Sequence, residues 1–422
     1  MKQTKTTKFL RSFLALAFAA VLCLGTILPA LAAPVTGGTE GNHAKITLKK
    51  TLNLADNLIV PTATFKYTLT AVNIDDDPAQ TTVMPAINIQ DIAFDSGDAV
   101  TSTAAGVASY SKESAEFPAN SVIFPRAGVY TYSLAETPGT YNASPTETMT
   151  YDSNTYVIKL YVKNGMSGCY VDTVEAWTTN DQGQTVTKTD PTPGSSNMAF
   201  VNNYSKTTDG GDPTGPLLNK LFLTKIVDGD YADQSKFFTF TVKVAAPSSA
   251  PSTTYKAYVI NNADNTVVTS SANYNGTIKN DIYGDYIEFT SGSNETINLK
   301  HSQNLIFIDL PIGTFYEMQE AATTNYKGKV ELFQGSGSST SYTAPAANTA
   351  VSTNDANGSN EVRVANSMKN GANYTNEYTA IITPTGIIID NLPFILLLAV
   401  AVGALVLFIA VKARKRRGYT AR

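Results

Sequence analysis

One lysine, one glutamate and one asparagine in each half of the chain have types and positions that could perform covalent chemistry together. Each lies in a segment where apolar residues alternate with polar ones, and alternation along a strand sends every second side chain to the same face. In all six segments the reactive residue falls on the apolar face. The residues predicted to point into a core are Lys50, Glu136 and Asn202, then Lys225, Glu320 and Asn376.

Buried groups of these types are reactive toward one another. Burial favours the uncharged lysine amine, which is a nucleophile, and the protonated glutamic acid. That acid could hydrogen-bond the asparagine carboxamide oxygen and pass protons to departing ammonia. The product would be a lysine–asparagine amide, an isopeptide bond. Two simpler arrangements stay open: a buried Lys–Glu ion pair beside a hydrogen-bonded asparagine, or a shifted register in which the lysine is solvated. Neighbouring alternatives to the named residues are Lys49, Asn203 and Asn366.

Short alternating strands must position these residues. Such runs dominate the chain between its ends, and turn residues separate them. The halves also repeat: one opens with ITLKKTL and closes with FVNNY, the other opens with LFLTKIV and closes with YTNEY. We therefore predict an all-β protein with two tandem immunoglobulin-like β-sandwich domains, residues 37–204 and 217–379. The Gly- and Pro-rich stretch 205–216 is predicted to be a linker.

Both ends of the chain indicate export. Residues 1–33 contain a basic start, an apolar run and a small-x-small site, the pattern of a cleaved secretory signal. Near the other end, residues 394–411 are apolar enough to span a membrane, and a basic cluster follows that would keep the tail cytoplasmic. The body of the protein is thus predicted to be extracellular.

A polar pentapeptide precedes the apolar run. It reads Ile382, Thr383, Pro384, Thr385 and Gly386. With the span and the basic tail, it resembles the cell-wall sorting signal of Gram-positive surface proteins, in its pilin form, and residues 380–422 form this signal. The resemblance implies that a sortase cysteine attacks the Thr385 carbonyl and cleaves before Gly386. Another Pro-Thr-Gly, residues 213–215, has no span after it and is predicted to be a turn.

The exported region as a whole resembles Gram-positive, sortase-assembled backbone pilins of the streptococcal FctA-like type, with their CnaB-like isopeptide-linkage domains. The resemblance implies cross-links from Lys50 to Asn202 and from Lys225 to Asn376, catalysed by Glu136 and Glu320. It also implies an acceptor lysine for polymerisation near the end of the first domain, where Lys188 lies in a polar stretch that we expect to be flexible. The implied partners are a pilin-type sortase, other copies of the chain, minor pilins and peptidoglycan, with host-surface ligands as a further class. A monomeric wall-anchored adhesin or stalk protein is the alternative.

Composition argues against other functions. The chain has 422 residues and a net charge of −4, which makes nucleic acid an unlikely partner by charge. Its two histidines allow no Ser-His-Asp set, and we expect no metal, no cofactor and no enzymatic activity other than the chain's reaction with itself. Of its two cysteines, Cys23 leaves with the signal, so the mature chain cannot form an internal disulfide.

Overall fold

The structure is a computed structural model of the full chain. It describes residues 34–180, 183–208, 210–251, 254–334, 339–358, 361–366, 368–379 and 392–418. The secretory signal and the pentapeptide Ile382–Gly386 therefore lie outside the described residues.

Two sheets that share one apolar core form the N-terminal sandwich. The larger sheet has the order β1-β10-β9-β7-β3-β4, with β11 paired to β10, and the smaller has the order β5-β6-β2-β12-β8. The strands are β1 (Val35–Thr36), β2 (Lys49–Ala55), β3 (Ala63–Ile74), β4 (Ile92–Phe94), β5 (Ser102–Ala104), β6 (Val107–Glu113), β7 (Gly128–Thr137), β8 (Glu147–Thr150), β9 (Thr155–Asn164), β10 (Cys169–Thr179), β11 (Thr185–Thr189) and β12 (Ala199–Lys206).

The C-terminal sandwich also has a larger and a smaller sheet. Their orders are β17-β18-β15-β20-β13-β26-β22-β23, with β16 on β15, and β19-β14-β21-β24, with β25 on β21. The strands are β13 (Leu221–Asp228), β14 (Phe238–Ala245), β15 (Thr254–Asn261), β16 (Thr266–Val267), β17 (Ile278–Asp281), β18 (Gly284–Thr290), β19 (Asn294–Leu299), β20 (Gln303–Phe307), β21 (Phe315–Glu320), β22 (Tyr326–Gln334), β23 (Ser339–Thr343), β24 (Val351–Ser352), β25 (Val362–Arg363) and β26 (Asn370–Tyr378).

Helices are few among the described residues. A 3-10 helix spans Pro78–Val83 and a one-turn helix spans Thr353–Ala356, which Ser352 caps. The C-terminal helix Leu392–Gly418 contains a segment, Pro393–Arg414, that is long and apolar enough to cross a membrane, with a mean hydropathy of 3.2. The expectation of an all-β protein with two tandem sandwiches and an apolar C-terminal helix is confirmed.

In both sandwiches the first long strand and the last strand are parallel neighbours in one sheet. Strand β2 pairs with β12, with Lys50 opposite Phe200 and Leu52 opposite Asn202. Strand β13 pairs with β26, with Lys225 opposite Tyr374 and Val227 opposite Asn376. Hairpin connections cannot produce a parallel pair, so most of each sandwich is folded between the two strands.

The predicted linker is ordered over most of its length and contacts the second sandwich. The backbone N–H of Thr208 donates to the Leu310 carbonyl over 2.8 Å, and the N–H of Ile312 donates to the Lys206 carbonyl over 2.8 Å. Residues 213–215 form the expected turn, which the N–H of Gly215 closes on the Asp212 carbonyl over 3.1 Å.

Candidate functional site

The first cluster lies in the core of the N-terminal sandwich, where its two sheets face each other. Lys50 and Asn202 point inward from neighbouring strands β2 and β12, and Glu136 points toward them from β7 in the opposite sheet. The Lys50 and Asn202 side chains have no exposed surface and Glu136 is 6% exposed. Burial of all three agrees with the alternation of the sequence.

One carboxylate oxygen of Glu136 joins the other two residues. Lys50 Nζ donates to Glu136 Oε1 over 2.7 Å, and Asn202 Nδ2 donates to the same oxygen over 2.9 Å. Glu136 Oε2 is buried and makes no hydrogen bond in the described structure. The lysine nitrogen also lies 4.4 Å from the centre of the Phe65 ring. The nucleophile and the leaving amide nitrogen thus contact a single oxygen that can carry a proton from one to the other.

The second cluster repeats this arrangement. Lys225 Nζ lies 3.0 Å from Glu320 Oε1, although the direction of approach is outside hydrogen-bonding geometry. Asn376 Nδ2 donates to the same Oε1 over 2.8 Å. The lysine nitrogen lies 4.2 Å from the centre of the Phe238 ring. Lys225 has no exposed surface, Glu320 is 1% exposed and Asn376 is 3% exposed.

Burial moves the protonation equilibria of both pairs toward their neutral forms. It lowers the pKa of Lys50 to about 8 and the pKa of Lys225 to about 8, because the ammonium ion loses its hydration. Burial likewise raises the pKa values of Glu136 and Glu320 above that of a solvated carboxyl, against the opposing effect of each lysine. The burial of each pair in its core therefore favours the reactive species, the neutral amine and the carboxylic acid, over the two ions.

The contact between Glu136 and Asn202 differs from the sequence expectation. That expectation placed the glutamic acid on the carboxamide oxygen, whereas the structure places its oxygen on the carboxamide nitrogen. The carboxamide oxygen, Asn202 Oδ1, instead accepts the backbone N–H of Asp152 over 2.8 Å. Sequence reasoning missed Asp152, because the donor is a main-chain group in a connection and no residue type marks it.

The three alternative residues that neighbour the named ones in sequence do not lie in the clusters. Lys49 and Asn203 are half-buried on the opposite faces of β2 and β12, and Asn366 is exposed. Asn203 Oδ1 accepts from Asn53 Nδ2 over 3.2 Å. The structure therefore brings the named residues together and keeps these three away from the glutamates.

Lys188 is not in a flexible stretch, and that expectation is wrong. It lies on β11, where it is paired opposite Trp177 of β10. Its Nζ donates to Glu175 Oε1 over 2.6 Å and lies 5.9 Å from the centre of the Trp177 ring. The backbone ladder holds the residue, while its side chain at the sheet margin keeps 21% of its surface exposed.

Other chemical sites are not apparent in the described part of the chain. No group of three or more His, Cys, Asp or Glu side chains with the geometry of a metal site occurs among the described residues. His43 is buried and its Nδ1 accepts the Val171 N–H over 3.2 Å, which is a structural role. Cys169 is a free cysteine that contacts Asn164 Oδ1 over 3.5 Å.

Comparison with known families identifies the first cluster's domain. Residues 46–205 match the family described as the Spy0128-like isopeptide containing domain. The N-terminal sandwich is thus similar to this family over nearly its whole length. The resemblance to FctA-like pilins, drawn above from the residues, is thereby confirmed. Residues 219–378, which include the second cluster, match a domain of unknown function, DUF7601. No curated protein matches the chain significantly.

Several solved structures are similar over most of the chain. The major pilin of Streptococcus pyogenes has 18% identity and a TM-score of 0.30, and the match covers 80% of this chain and 100% of that one. The T3.2 major pilin of the same species has 18% identity and a TM-score of 0.30, with 81% and 98% covered. The pilus-presented adhesin Spy0125 (Cpa) has 12% identity and a TM-score of 0.24, with 79% and 100% covered. Such low identities and TM-scores carry no argument about function.

Proposed function

We propose that the protein is a structural subunit of a covalently polymerised cell-surface pilus. In this proposal a sortase cleaves between Thr385 and Gly386, and isopeptide bonds from Lys50 to Asn202 and from Lys225 to Asn376 form spontaneously inside the two sandwiches. The family that the N-terminal sandwich matches, an isopeptide containing domain, supports the proposal.

The observation that carries the proposal is the repeated cluster between parallel terminal strands. A buried Lys–Glu ion pair is by itself weak evidence for a stabilising role, because desolvation cancels much of its attraction. A carboxylate oxygen within 2.7 Å of the amine and 2.9 Å of the amide nitrogen is, however, the geometry that proton transfer from the amine to the leaving nitrogen requires. Its occurrence in both sandwiches, each time joining first and last strands, favours a covalent function.

The reaction needs no external reagent. Proton transfer from Lys50 to Glu136 gives the amine and the acid, and the amine lone pair then attacks the Asn202 carboxamide carbon. The new C–N bond forms, Glu136 delivers its proton to Nδ2 and takes a second proton from Nζ, and the intermediate then expels Nδ2 as ammonia, which leaves a neutral amide and a protonated Glu136. One amide replaces another, and the fold supplies the proximity that is otherwise worth many kcal/mol.

Attachment to the wall is proposed from the C-terminal segment. The described helix can span a membrane and would hold the chain there until a sortase acts on the pentapeptide before it. The Lys188 amine of the next copy is the proposed acceptor, which makes other copies, minor pilins and peptidoglycan the partners of the chain. Host-surface ligands are a further proposed class.

Intact-mass measurement tests the internal bonds. The exported chain released from cells should be lighter than its sequence mass by two ammonia molecules, one for each sandwich. Peptide mapping should locate the branched peptides at Lys50–Asn202 and Lys225–Asn376. A mass equal to that of the unmodified sequence would show that neither bond forms.

Wall extracts test the polymer. The wild-type strain should give a ladder of high-mass species that resists boiling in detergent, whereas Thr385→Ala should leave monomer in the membrane fraction. A single wall-anchored band in the wild type would instead support a monomeric adhesin or stalk protein.

A further inference from the structure

The chain leaves the smaller sheet of the N-terminal sandwich beside Asn202, a member of the first cluster. Strand β8 pairs with β12 from Lys206 back to Asn203, where it ends at Thr150. The chain then crosses to the larger sheet and resumes as β9 at Thr155. The crossing segment 151–154 lies beside Asn202, and its backbone groups are not used in the β8–β12 ladder.

Asp152 is fixed in this crossing by its own carboxylate. Its Oδ2 accepts the Val201 N–H over 2.6 Å, and its Oδ1 accepts the Asn154 N–H over 2.8 Å. The carboxylate therefore attaches the crossing segment to β12, the strand that carries Asn202. With the residue held in this way, the Asp152 N–H points at Asn202 Oδ1 over 2.8 Å.

The geometry points to a further catalytic group: the backbone N–H of Asp152 is the oxyanion donor for the isopeptide reaction of the N-terminal sandwich, and the Asp152 carboxylate is its positioning group. This inference rests on the proposed isopeptide chemistry and names a component that the lysine, glutamate and asparagine do not supply. In acyl transfer the carbonyl oxygen gains negative charge in the transition state, and a fixed N–H aimed at it lowers the barrier.

The N–H has a defined role in each step. When Lys50 Nζ attacks the Asn202 carboxamide carbon, the electron pair of the C=O π bond moves to Oδ1, where the Asp152 N–H stabilises it. Glu136 passes one proton from Nζ to Nδ2. The pair on Oδ1 then re-forms the C=O bond while Nδ2 leaves as ammonia, so atoms and charges balance. The same hydrogen bond fixes the carboxamide orientation that turns Nδ2 toward Glu136.

The second cluster lacks this donor in the described structure, for a topological reason. Strand β22 does not cross between sheets beside Asn376 but continues to pair with β26, with Gly328 opposite Asn376. Asn376 Oδ1 is buried and has no hydrogen-bond partner among the described residues. The two reactions in one chain therefore differ in one component, and the second serves as an internal reference for the first.

An amide-to-ester exchange at position 152 isolates the N–H. The full-length chain is made with the α-hydroxy analogue of aspartate at 152, which retains the carboxylate and removes only the N–H. The matched control places the α-hydroxy analogue of asparagine at 154, which removes an N–H that contacts Asp152 and no reacting atom. Newly made chains are sampled over time, and branched peptides for both sites are quantified by mass spectrometry.

We expect the ester at 152 to slow formation of the Lys50–Asn202 bond by about 100-fold, the usual effect of losing one oxyanion donor, and to leave the Lys225–Asn376 rate unchanged. The ester at 154 should slow the first bond far less. Equal first-site rates in the two ester chains would overturn the inference while leaving the isopeptide proposal intact. No branched peptide at either site in the wild type would instead remove the proposed function itself.

A second variant guards against misfolding of the ester chain. Asp152→Ala keeps the N–H and removes the carboxylate that holds it, so the first bond should form more slowly while the second forms normally. Added formate or acetate should not restore the rate of bond formation in Asp152→Ala, since the Asp152 carboxylate acts by holding the backbone in place and not as an acid. An unchanged first-site rate in Asp152→Ala would contradict the positioning role.

Discussion

At the scale of single residues, each glutamate has two functions that can be separated. It compensates the charge of a buried lysine, and it is within reach of the proton that must move. Removal of a charged partner from a buried pair costs about 3–5 kcal/mol through the unpaired charge alone. Loss of a cross-link that closes a loop of roughly 150 residues would remove about 5 kcal/mol more through the entropy of the unfolded chain.

Substitution of either glutamate should act on its own sandwich only. Glu136→Ala is expected to prevent the Lys50–Asn202 bond. After correction for the changed side chain, the variant should be heavier than the cross-linked wild type by one ammonia. The melting temperature of its N-terminal sandwich should be lower. Glu320→Ala should do the same for the C-terminal sandwich. Intact mass and calorimetry on both variants give the comparison. Two bonds in either variant would contradict the role of the glutamate.

The depressed lysine pKa predicts a pH dependence that appears only without the bond. In Asn202→Ala, Lys50 keeps its free amino group. The pKa of this group is about 8 in the folded chain, against 10.5 for a solvated lysine. Between these two pKa values the unfolded chain binds more protons than the folded chain. The free energy of unfolding therefore increases as pH rises through this window, and it decreases again as pH falls back toward the folded pKa. A shift of this size corresponds to roughly 3 kcal/mol.

Chemical denaturation from pH 7 to 11 measures this effect. Asn202→Ala should gain stability relative to the wild type over that range, because in the proposed wild-type bond the lysine nitrogen would be an amide that does not titrate. The double variant with Lys50→Met should show no such gain. A gain of the same size in the double variant would assign the effect to another group.

At the scale of strands, alternation in the sequence was enough to predict the inward faces. Lys50, Glu136 and Asn202 each occupy an apolar face in the sequence, and all three are buried in the structure. Pairing could not be predicted in the same way. The parallel contact of β2 with β12 and the crossing of the chain at Asp152 depend on contacts far apart in sequence, and no local pattern encodes them.

Lys188 shows the same limit of local reasoning. The polar stretch around it predicted flexibility, but pairing with β10 and the ion pair to Glu175 hold it in a strand. In the proposed polymerisation the amine would have to leave Glu175 before it attacks an acyl-enzyme, since the 2.6 Å contact with Glu175 Oε1 occupies its Nζ.

Two substitutions separate the acceptor from its partner. Lys188→Arg keeps a positive charge for Glu175 but removes the primary amine, and should abolish the polymer ladder in wall extracts. Glu175→Gln frees the amine and should leave the ladder in place. A ladder that persists unchanged in Lys188→Arg would assign polymerisation to another lysine.

At the scale of the whole molecule, the two sandwiches contact each other around the chain that joins them. Asn57 Nδ2 donates to the Val364 carbonyl over 3.0 Å, in addition to the backbone bonds of Lys206 and Thr208. Gly313 has a φ of 84°, and a Cβ at this position would lie 2.5 Å from the Ala55 Cβ, so the approach requires glycine. The hydrogen bonds at this junction join polar groups, whereas each sandwich has its own apolar core.

Tension applied to the two ends of the exported chain would load the strands by which the chain enters and leaves each sandwich. The chain enters each sandwich near its first long strand and leaves from its last, and the proposed bonds join those two strands directly. Force applied to these ends would pass from Lys50 to Asn202 and from Lys225 to Asn376 through the proposed covalent bonds, and the sequence folded between them would bear no load.

Single-molecule extension of the exported chain should show that the sequence inside the two closed loops bears no load. The wild type should lengthen only by the segments outside the two closed loops, and reductant should not change its trace, because Cys169 would be left without a second cysteine once the proposed signal is cleaved. A chain with both Glu136→Ala and Glu320→Ala should show two additional unfolding steps, each releasing roughly 150 residues at about 3.5 Å per residue. Either single variant should show one step, which assigns each release to its sandwich. Two large steps in the wild type would mean that the terminal strands are not covalently joined, and the fibre would then depend on the ordinary strength of its β-sheets.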